Sequence, residues 1–227
     1  LILTILILIS FNARGNQENI IVLMYHRFNN PEYSDTSISK ERFEQQINFL
    51  INKKIKVLPL TDLLKYFEGD KKLSEKTVFI TVDDAYKSFY NHAFPILKKY
   101  QLPFSIFVSS DFISDDVESD FMSWQMLREI SKSHGLVLNH SKSHKSFLDL
   151  SIDNIKKEVL SNQLIIAKKV GPQPMIFSYP FGESSFVVEE EIKKLGYKIA
   201  FSQHSSPISK DQNKLRLPRY SLNEEYG

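Results

Sequence analysis

The stretch Thr77-Val78-Phe79-Ile80-Thr81-Val82-Asp83-Asp84-Ala85-Tyr86 decides how the chain is read. Its first six residues are apolar or β-branched and make a buried strand. Two adjacent acids follow. Neighbouring side chains of extended backbone point to opposite faces, so a pair of acids after a buried run marks a strand end where the chain turns. Taken alone, such a pair is most simply a solvated turn with helix-capping Asp residues.

The same alternation of short apolar runs and longer amphipathic stretches extends on both sides, which is the pattern of repeated strand and helix units. Upstream, Ile20 to Tyr25 reads as a buried strand, and Ser39 precedes a helix whose Phe43, Ile47, Leu50 and Ile51 share a face. Ile55 to Leu58 is a strand, and Thr61 caps a short helix, Asp62 to Phe67, with Gly69 past its end. Downstream, Tyr86 to Tyr100 is helical in pattern, with Pro95 bending it or opening a second piece. Phe104 to Val108, Leu136 to Asn139, Met175 to Tyr179 and Lys198 to Ser202 are strands, with helices at Trp124 to Ser133, Ile152 to Val170 (capped by Ser151) and Glu189 to Leu195. Ser109 to Ser123 reads as a solvated acidic loop rather than a calcium loop, whose spacing and glycine it lacks. Six or seven such units suggest a parallel sheet closed, or nearly closed, into a barrel with helices outside; an open doubly wound sheet is the alternative.

Composition narrows the chemistry. The 227 residues carry 29 Lys and Arg against 27 Asp and Glu, a net charge of +2 that gives no electrostatic reason to expect nucleic acid. Without cysteine there is no thiolate site, so any metal must be held by His, Asp, Glu or backbone oxygen. No glycine-rich phosphate loop follows any strand. Leu1 to Ile9 is apolar except for Thr4 and resembles the apolar part of a signal peptide, although it is too short to span a bilayer. Residues 1–19 are therefore read as a signal peptide or N-terminal anchor remnant, giving export and a link to the envelope, and residues 20–227 as one domain.

A second segment carries chemistry. His140-Ser141-Lys142-Ser143-His144 places two histidines four apart, and they can converge on one ion if the segment is helical or tightly turned; a surface turn is the competing reading. One carboxylate and two imidazoles suit Zn²⁺ or another divalent first-row metal (Fe²⁺, Co²⁺ or Ni²⁺), and a second carboxylate beside it can take a proton from water.

These segments resemble the polysaccharide deacetylases related to NodB, the family 4 carbohydrate esterases, over Val22 to about Tyr220. Thr81-Val82-Asp83-Asp84-Ala85 is similar to the family's Thr-Phe-Asp-Asp-Gly motif, and Gly135 through His144 to its Gly-x-x-x-x-His-Ser-x-x-His motif. Ser178-Tyr179-Pro180-Phe181-Gly182 stands where the family has Arg-x-Pro-Tyr-Gly, while Leu23-Met24-Tyr25-His26 and Leu217-Pro218-Arg219-Tyr220 resemble the branch that deacetylates poly-N-acetylglucosamine in biofilm matrices. The resemblance implies a deformed (β/α) barrel of about seven parallel strands, with Asp83 as base, Asp84, His140 and His144 as metal ligands and His26 as general acid. His204, after the last strand, competes with His26 for that role.

Ser178 replaces the motif arginine, and Arg219 is the candidate to take over its task of orienting Asp83; a surface arginine is the competing reading. If position 85 needs a positive φ, Ala85 strains the turn where the family has glycine. Tyr179 and Phe181 are candidates to line the sugar site, with core packing as the other reading. His92, within a helical stretch, reads as structural and His134 as a helix-end residue. The expected activity is metal-dependent hydrolysis of N-acetyl groups from N-acetylglucosamine units of an extracellular or cell-wall polysaccharide. The rivals are deacetylation of acetylxylan or peptidoglycan, hydrolysis of a cyclic imide, and a non-catalytic carbohydrate-binding barrel.

Overall fold

The computed structural model describes residues 19–74 and 76–225; the apolar segment Leu1 to Ile9 lies outside the described residues. The elements run β1 (Asn19–Tyr25), β2 (Arg27–Phe28), β3 (Ser37–Ile38), α1 (Lys40–Asn52), β4 (Lys56–Val57), α2 (Leu60–Glu68), β5 (Lys76–Val82), α3 (Phe94–Lys99), β6 (Phe104–Val108), α4 (Trp124–Ser131), β7 (Gly135–Asn139), α5 (Ile152–Lys169), β8 (Ile176–Ser178), α6 (Phe186–Lys194), β9 (Ile199–Phe201) and β10 (Tyr220–Ser221).

The main sheet is wholly parallel, in the order β10-β1-β5-β6-β7-β8-β9. One edge of β5 is shared: β4 pairs its first half at Thr77 and Val78, and β6 its last at Thr81 and Val82. The segment entering β10 curls the sheet back on itself. Leu217 donates to the Ala200 carbonyl and accepts from Ser202 N–H, at 2.8 and 2.9 Å, before Tyr220 pairs with Leu23 of β1. This is the expected barrel of parallel strands with outer helices; the open doubly wound sheet is not found.

The continuous apolar runs are explained by burial on both faces. Ile20, Val22, Phe79, Phe107, Ile176 and Phe201 gather in one core with Leu60, Leu63 and Phe67 of α2. Their neighbours Ile21, Leu23, Tyr25, Val78, Ile80 and Val82 face a second core made with α1, α3 and α4. Continuing the alternation along β5 puts Thr81 and then Asp83 on the same side as Phe79, towards the barrel interior.

Several expected boundaries move. Ile51 is 39% exposed, so the buried stripe of α1 is Phe43, Ile47 and Leu50. Pro59 occupies the N-cap of α2 and Thr61 lies inside the helix, while Gly69 closes it at φ 89° as a left-handed cap. The helix before β9 begins at Phe186, capped by the Ser185 hydroxyl, earlier than the expected Glu189. Pro95 divides its stretch into two pieces. A single π-type turn covers Phe89–Ala93, with Phe94 N–H reaching the Phe89 carbonyl, and α3 follows with the proline in its first turn, where no N–H is needed.

Candidate active site

The C-terminal ends of β5, β7, β8 and the segment leading into β10 meet at one mouth of the barrel. Asp83 ends β5, its N–H still on the Tyr25 carbonyl at 2.9 Å, and its side chain is fully buried. Arg219 grips it with both nitrogens, Nη1 to Oδ1 at 2.8 Å and Nη2 to Oδ2 at 2.7 Å, and Ser178 Oγ adds a third bond to Oδ2 at 3.2 Å. Arg219 is itself completely buried, donating further to Thr81 Oγ1 and Ser178 Oγ and lying over the rings of Phe107 and Phe201. It is no surface arginine. Burial alone would raise the Asp83 pKa, but Arg219 and then His140 outweigh it and hold the carboxyl far below the usual range. A carboxylate has about four acceptor positions, so three bonds leave about one for a further donor.

The next two residues reverse the chain in left-handed conformations, Asp84 at φ 69° and Ala85 at φ 59°. The positive φ anticipated at position 85 is real, and alanine pays about 1–2 kcal/mol there that glycine would not. The turn aims Asp84 at the mouth rather than into the interior. Its Oδ1 is buried and has no hydrogen-bond partner among the described residues.

Opposite it stand the two histidines. His140 follows β7, is 1% exposed, and places Nδ1 at 2.7 Å from the Ser178 carbonyl. A carbonyl only accepts, so Nδ1 carries a hydrogen, which leaves Nε2, 3.5 Å from Asp84 Oδ1, as the nitrogen that can ligate. His144 Nε2 lies 3.3 Å from the same oxygen. The segment between them is a tight turn and not a helix, with Ser141 and His144 both at positive φ. Glu158 of α5 fixes that turn by accepting from Lys142 N, Ser143 N and Ser143 Oγ at 2.8–3.0 Å. Sequence reasoning missed Glu158, since a glutamate on an amphipathic helix carries no local signal of a partner 15 residues away.

Among the described residues, Asp84, His140 and His144 are the only group of three acids, histidines or cysteines whose donor atoms lie within 4.8 Å of one another. Burial and the neighbouring His140 push His144 down to about 4, leaving it neutral, the form that ligates. Burial would lower His140 too, but Asp83 and Asp84 raise it, so this cluster of acids calls for positive charge. The orphaned carboxylate oxygen, the two imidazole nitrogens turned towards it and the lack of thiolate fit a divalent cation.

His26, one residue beyond β1, is partly exposed, and burial lowers its pKa against the pull of Asp83 and Asp84. His204 is exposed, its Nδ1 2.5 Å from Ser202 Oγ, on the wall of a separate surface groove of about 480 Å³ with Gly182, Glu183, Gln203 and Arg216. Of the two aromatics expected at the sugar site, Phe181 is 54% exposed and meets the His144 ring at 4.7 Å. Tyr179 is a core residue instead, fully buried with its hydroxyl donating to the Leu215 carbonyl. The two sit on either side of Pro180, where the chain leaves β8, so one turns into the core and the other out. His92 belongs to the π-type turn and His134 to the turn before β7.

The fold and this arrangement are those expected of a polysaccharide deacetylase barrel, with Asp84, His140 and His144 as a candidate cation site. Comparison with known proteins agrees: residues 70–200 match the model of the polysaccharide deacetylase family, and the chain belongs to that family. A poly-beta-1,6-N-acetyl-D-glucosamine N-deacetylase of Staphylococcus aureus is 27% identical over 214 residues, covering 89% of this chain and 73% of that protein. The Staphylococcus epidermidis enzyme of the same name is 25% identical, covering 94% of this chain and 86% of its own. Among solved structures, the Streptococcus pyogenes deacetylase PplD in complex with acetate superposes with a TM-score of 0.83 at 21% identity, covering 91% of this chain and 93% of that one. IcaB from Ammonifex degensii gives 0.82 at 24%, covering 92% and 94%; both likenesses show the shared fold.

Proposed function

We propose that this chain is a metal-dependent N-deacetylase of poly-β-1,6-N-acetylglucosamine, releasing acetate and leaving free amines on the polymer. The observation that carries the reading is the buried, unpartnered Asp84 Oδ1 facing two imidazole nitrogens at 3.3 and 3.5 Å. The names of the staphylococcal relatives support the polymer. Asp84, His140 and His144 would hold the cation, with Zn²⁺ the first choice for two imidazoles and a carboxylate. When bound, such an ion supplies Lewis-acid chemistry, lowering the pKa of water and polarising a carbonyl.

The chain's own residues do the rest. Asp83, kept ionised by Arg219, accepts a proton from the attacking water on its remaining acceptor position. The water oxygen bonds to the acetamide carbon as that carbon's bond to nitrogen breaks. Protonated His26 gives its proton to the departing nitrogen, so acetic acid and a neutral amine leave; the acid ionises to acetate in solvent, and solvent carries the Asp83 proton back to His26. Phe181 offers an exposed ring face beside His144 for the pyranose. Action on such a polymer places the protein outside the cytoplasm, in keeping with a signal or anchor in residues 1–19.

Acetate release from poly-β-1,6-N-acetylglucosamine, chitin oligomers, acetylxylan and peptidoglycan, with and without a chelator, tests the reading. The expected result is release from the β-1,6 polymer that stops with chelator and returns with Zn²⁺. Preference for another substrate would change the polymer, and glycan binding without acetate release would make this a lectin-like barrel.

A further inference from the structure

Beside the cation site, five side chains from three separate segments form one column. The Arg27 guanidinium of β2 lies between two rings, 4.1 Å from the centroid of Tyr33 and 3.9 Å from that of Tyr86. Tyr86 stacks on Phe121 at 4.9 Å and 24°, and Phe121 on Phe112 at 4.9 Å and 22°. Phe112 then reaches the His144 ring at 6.2 Å. The inner rings Tyr86 and Phe121 have their faces taken up by neighbours, while Tyr33 at the outer end is 43% exposed. Arg27 is taken up too: Nη1 donates to Thr36 Oγ1 at 3.0 Å and Nη2 to the Tyr86 hydroxyl at 2.6 Å.

The column touches the cation site at both ends of its ligand set. Tyr86 directly follows Asp84 and Ala85, the two left-handed residues that aim the carboxylate. The acidic loop clamps the same turn through Met122 N to the Ala85 carbonyl, Lys87 N to the Asp120 carbonyl and an antiparallel bridge between Tyr86 and Phe121. Consecutive left-handed residues other than glycine persist only where the surroundings over-determine them. The acidic loop, which the sequence presents as solvated, supplies one side of that constraint, and Arg27 the other.

We propose that Arg27 is a positioning residue for the cation site: sandwiched between Tyr33 and Tyr86, it locks the strained Asp84–Ala85 turn and so sets the Asp84 carboxylate against His140 and His144. This rests on reading those three residues as the metal ligands. Arg27 acts through Tyr86 and contacts neither substrate nor ion.

The test is Zn²⁺ affinity, measured by competition with a chromophoric chelator on the full chain, beside kcat and KM for an N-acetylglucosamine oligomer. Arg27→Leu should weaken Zn²⁺ binding by roughly 10- to 100-fold, the usual cost of losing a group that orients a ligand. Turnover should return once Zn²⁺ is saturating. Adding Ala85→Gly should recover most of the affinity, because glycine adopts the turn unaided. Arg27→Lys should behave like Arg27→Leu, since the planar sandwich and not the charge holds the column. Where Arg27→Leu does not fold, Arg27→Lys carries the same test with the same expected loss, and Tyr86→Phe, which removes only the accepting hydroxyl, should show a smaller one. Unchanged Zn²⁺ affinity with a raised KM would make Arg27 a substrate contact and overturn the proposal. A loss that Ala85→Gly does not recover would overturn it in favour of a general structural role. A wild type that binds no Zn²⁺ would instead remove the ligand reading on which this stands.

Discussion

Asp83 and Asp84 are neighbours in sequence and opposites in environment. Asp83 is wholly buried, gripped by Arg219 and bonded by Ser178. Asp84 sits at the mouth with a buried oxygen that nothing donates to, facing two histidines. A carboxylate whose demands are met inside the protein is fixed in charge and place, whereas one left unmet is poised to take an external cation. Both present buried carboxylate oxygens, so burial of the oxygen alone does not distinguish the roles; partners do.

Exchange of the two acids for amides gives the largest contrast. Asp84→Asn should lose metal by more than 100-fold, beyond the roughly 10- to 100-fold cost of disturbing a group that merely supports a ligand, and activity should go with it. Asp83→Asn should keep the metal and lose activity by at least roughly 10²–10⁴-fold, as expected for a missing base. Elemental analysis and acetate release on the same samples read both, and equal metal loss in the two variants would erase the contrast. His26→Ala should lower kcat by roughly 10²–10⁴-fold with metal retained, and His204→Ala should stay near wild type.

Arg219→Met leaves Asp83 buried without its cation and should cost about 3–5 kcal/mol in urea unfolding at neutral pH. The pH dependence gives the sign. In the wild type the Asp83 pKa is lowered on folding, so its stabilisation is present above about pH 4 and lost as pH falls below that. In Arg219→Met burial raises it instead, so stability should fall as pH rises above about 4, and the gap between the proteins should narrow in acid. Parallel curves measured in chelator would mean that the pair is not what sets the pKa. Smallest is Ala85→Gly alone. Relief of a left-handed alanine, roughly 1–2 kcal/mol, is offset by roughly 0.4–1 for added chain entropy and about 0.8 for a buried methyl, so the melting curve should barely move.

The barrel was legible because its strands are apolar on both faces, and runs such as Ile20–Tyr25 and Phe104–Val108 need no partner to declare themselves. The two-residue strands β2, β3 and β10 were not, since a pairing that short leaves no period to read. The site divided along the same line. Asp83-Asp84 and His140-x-x-x-His144 stand close together in sequence and were legible as chemistry. The Arg219–Asp83 grip spans 136 positions and could be anticipated only as a candidate. Tyr179 and Phe181 differ in which way the chain twists around Pro180, which composition does not encode. Thr61 was a chemically reasonable cap, displaced because Pro59 already starts the helix.

The segment that bridges β9 through Leu217 and joins β1 at Tyr220 also carries Arg219. Closure of the barrel and completion of the Asp83 pocket are therefore one event. A ribosome must release the 136 positions from Asp83 to Arg219 before the acid meets its counter-charge, and until then the nascent chain has an acid in an unfinished pocket. A chain stopped before Arg219 thus leaves both the sheet and the Asp83 pocket open.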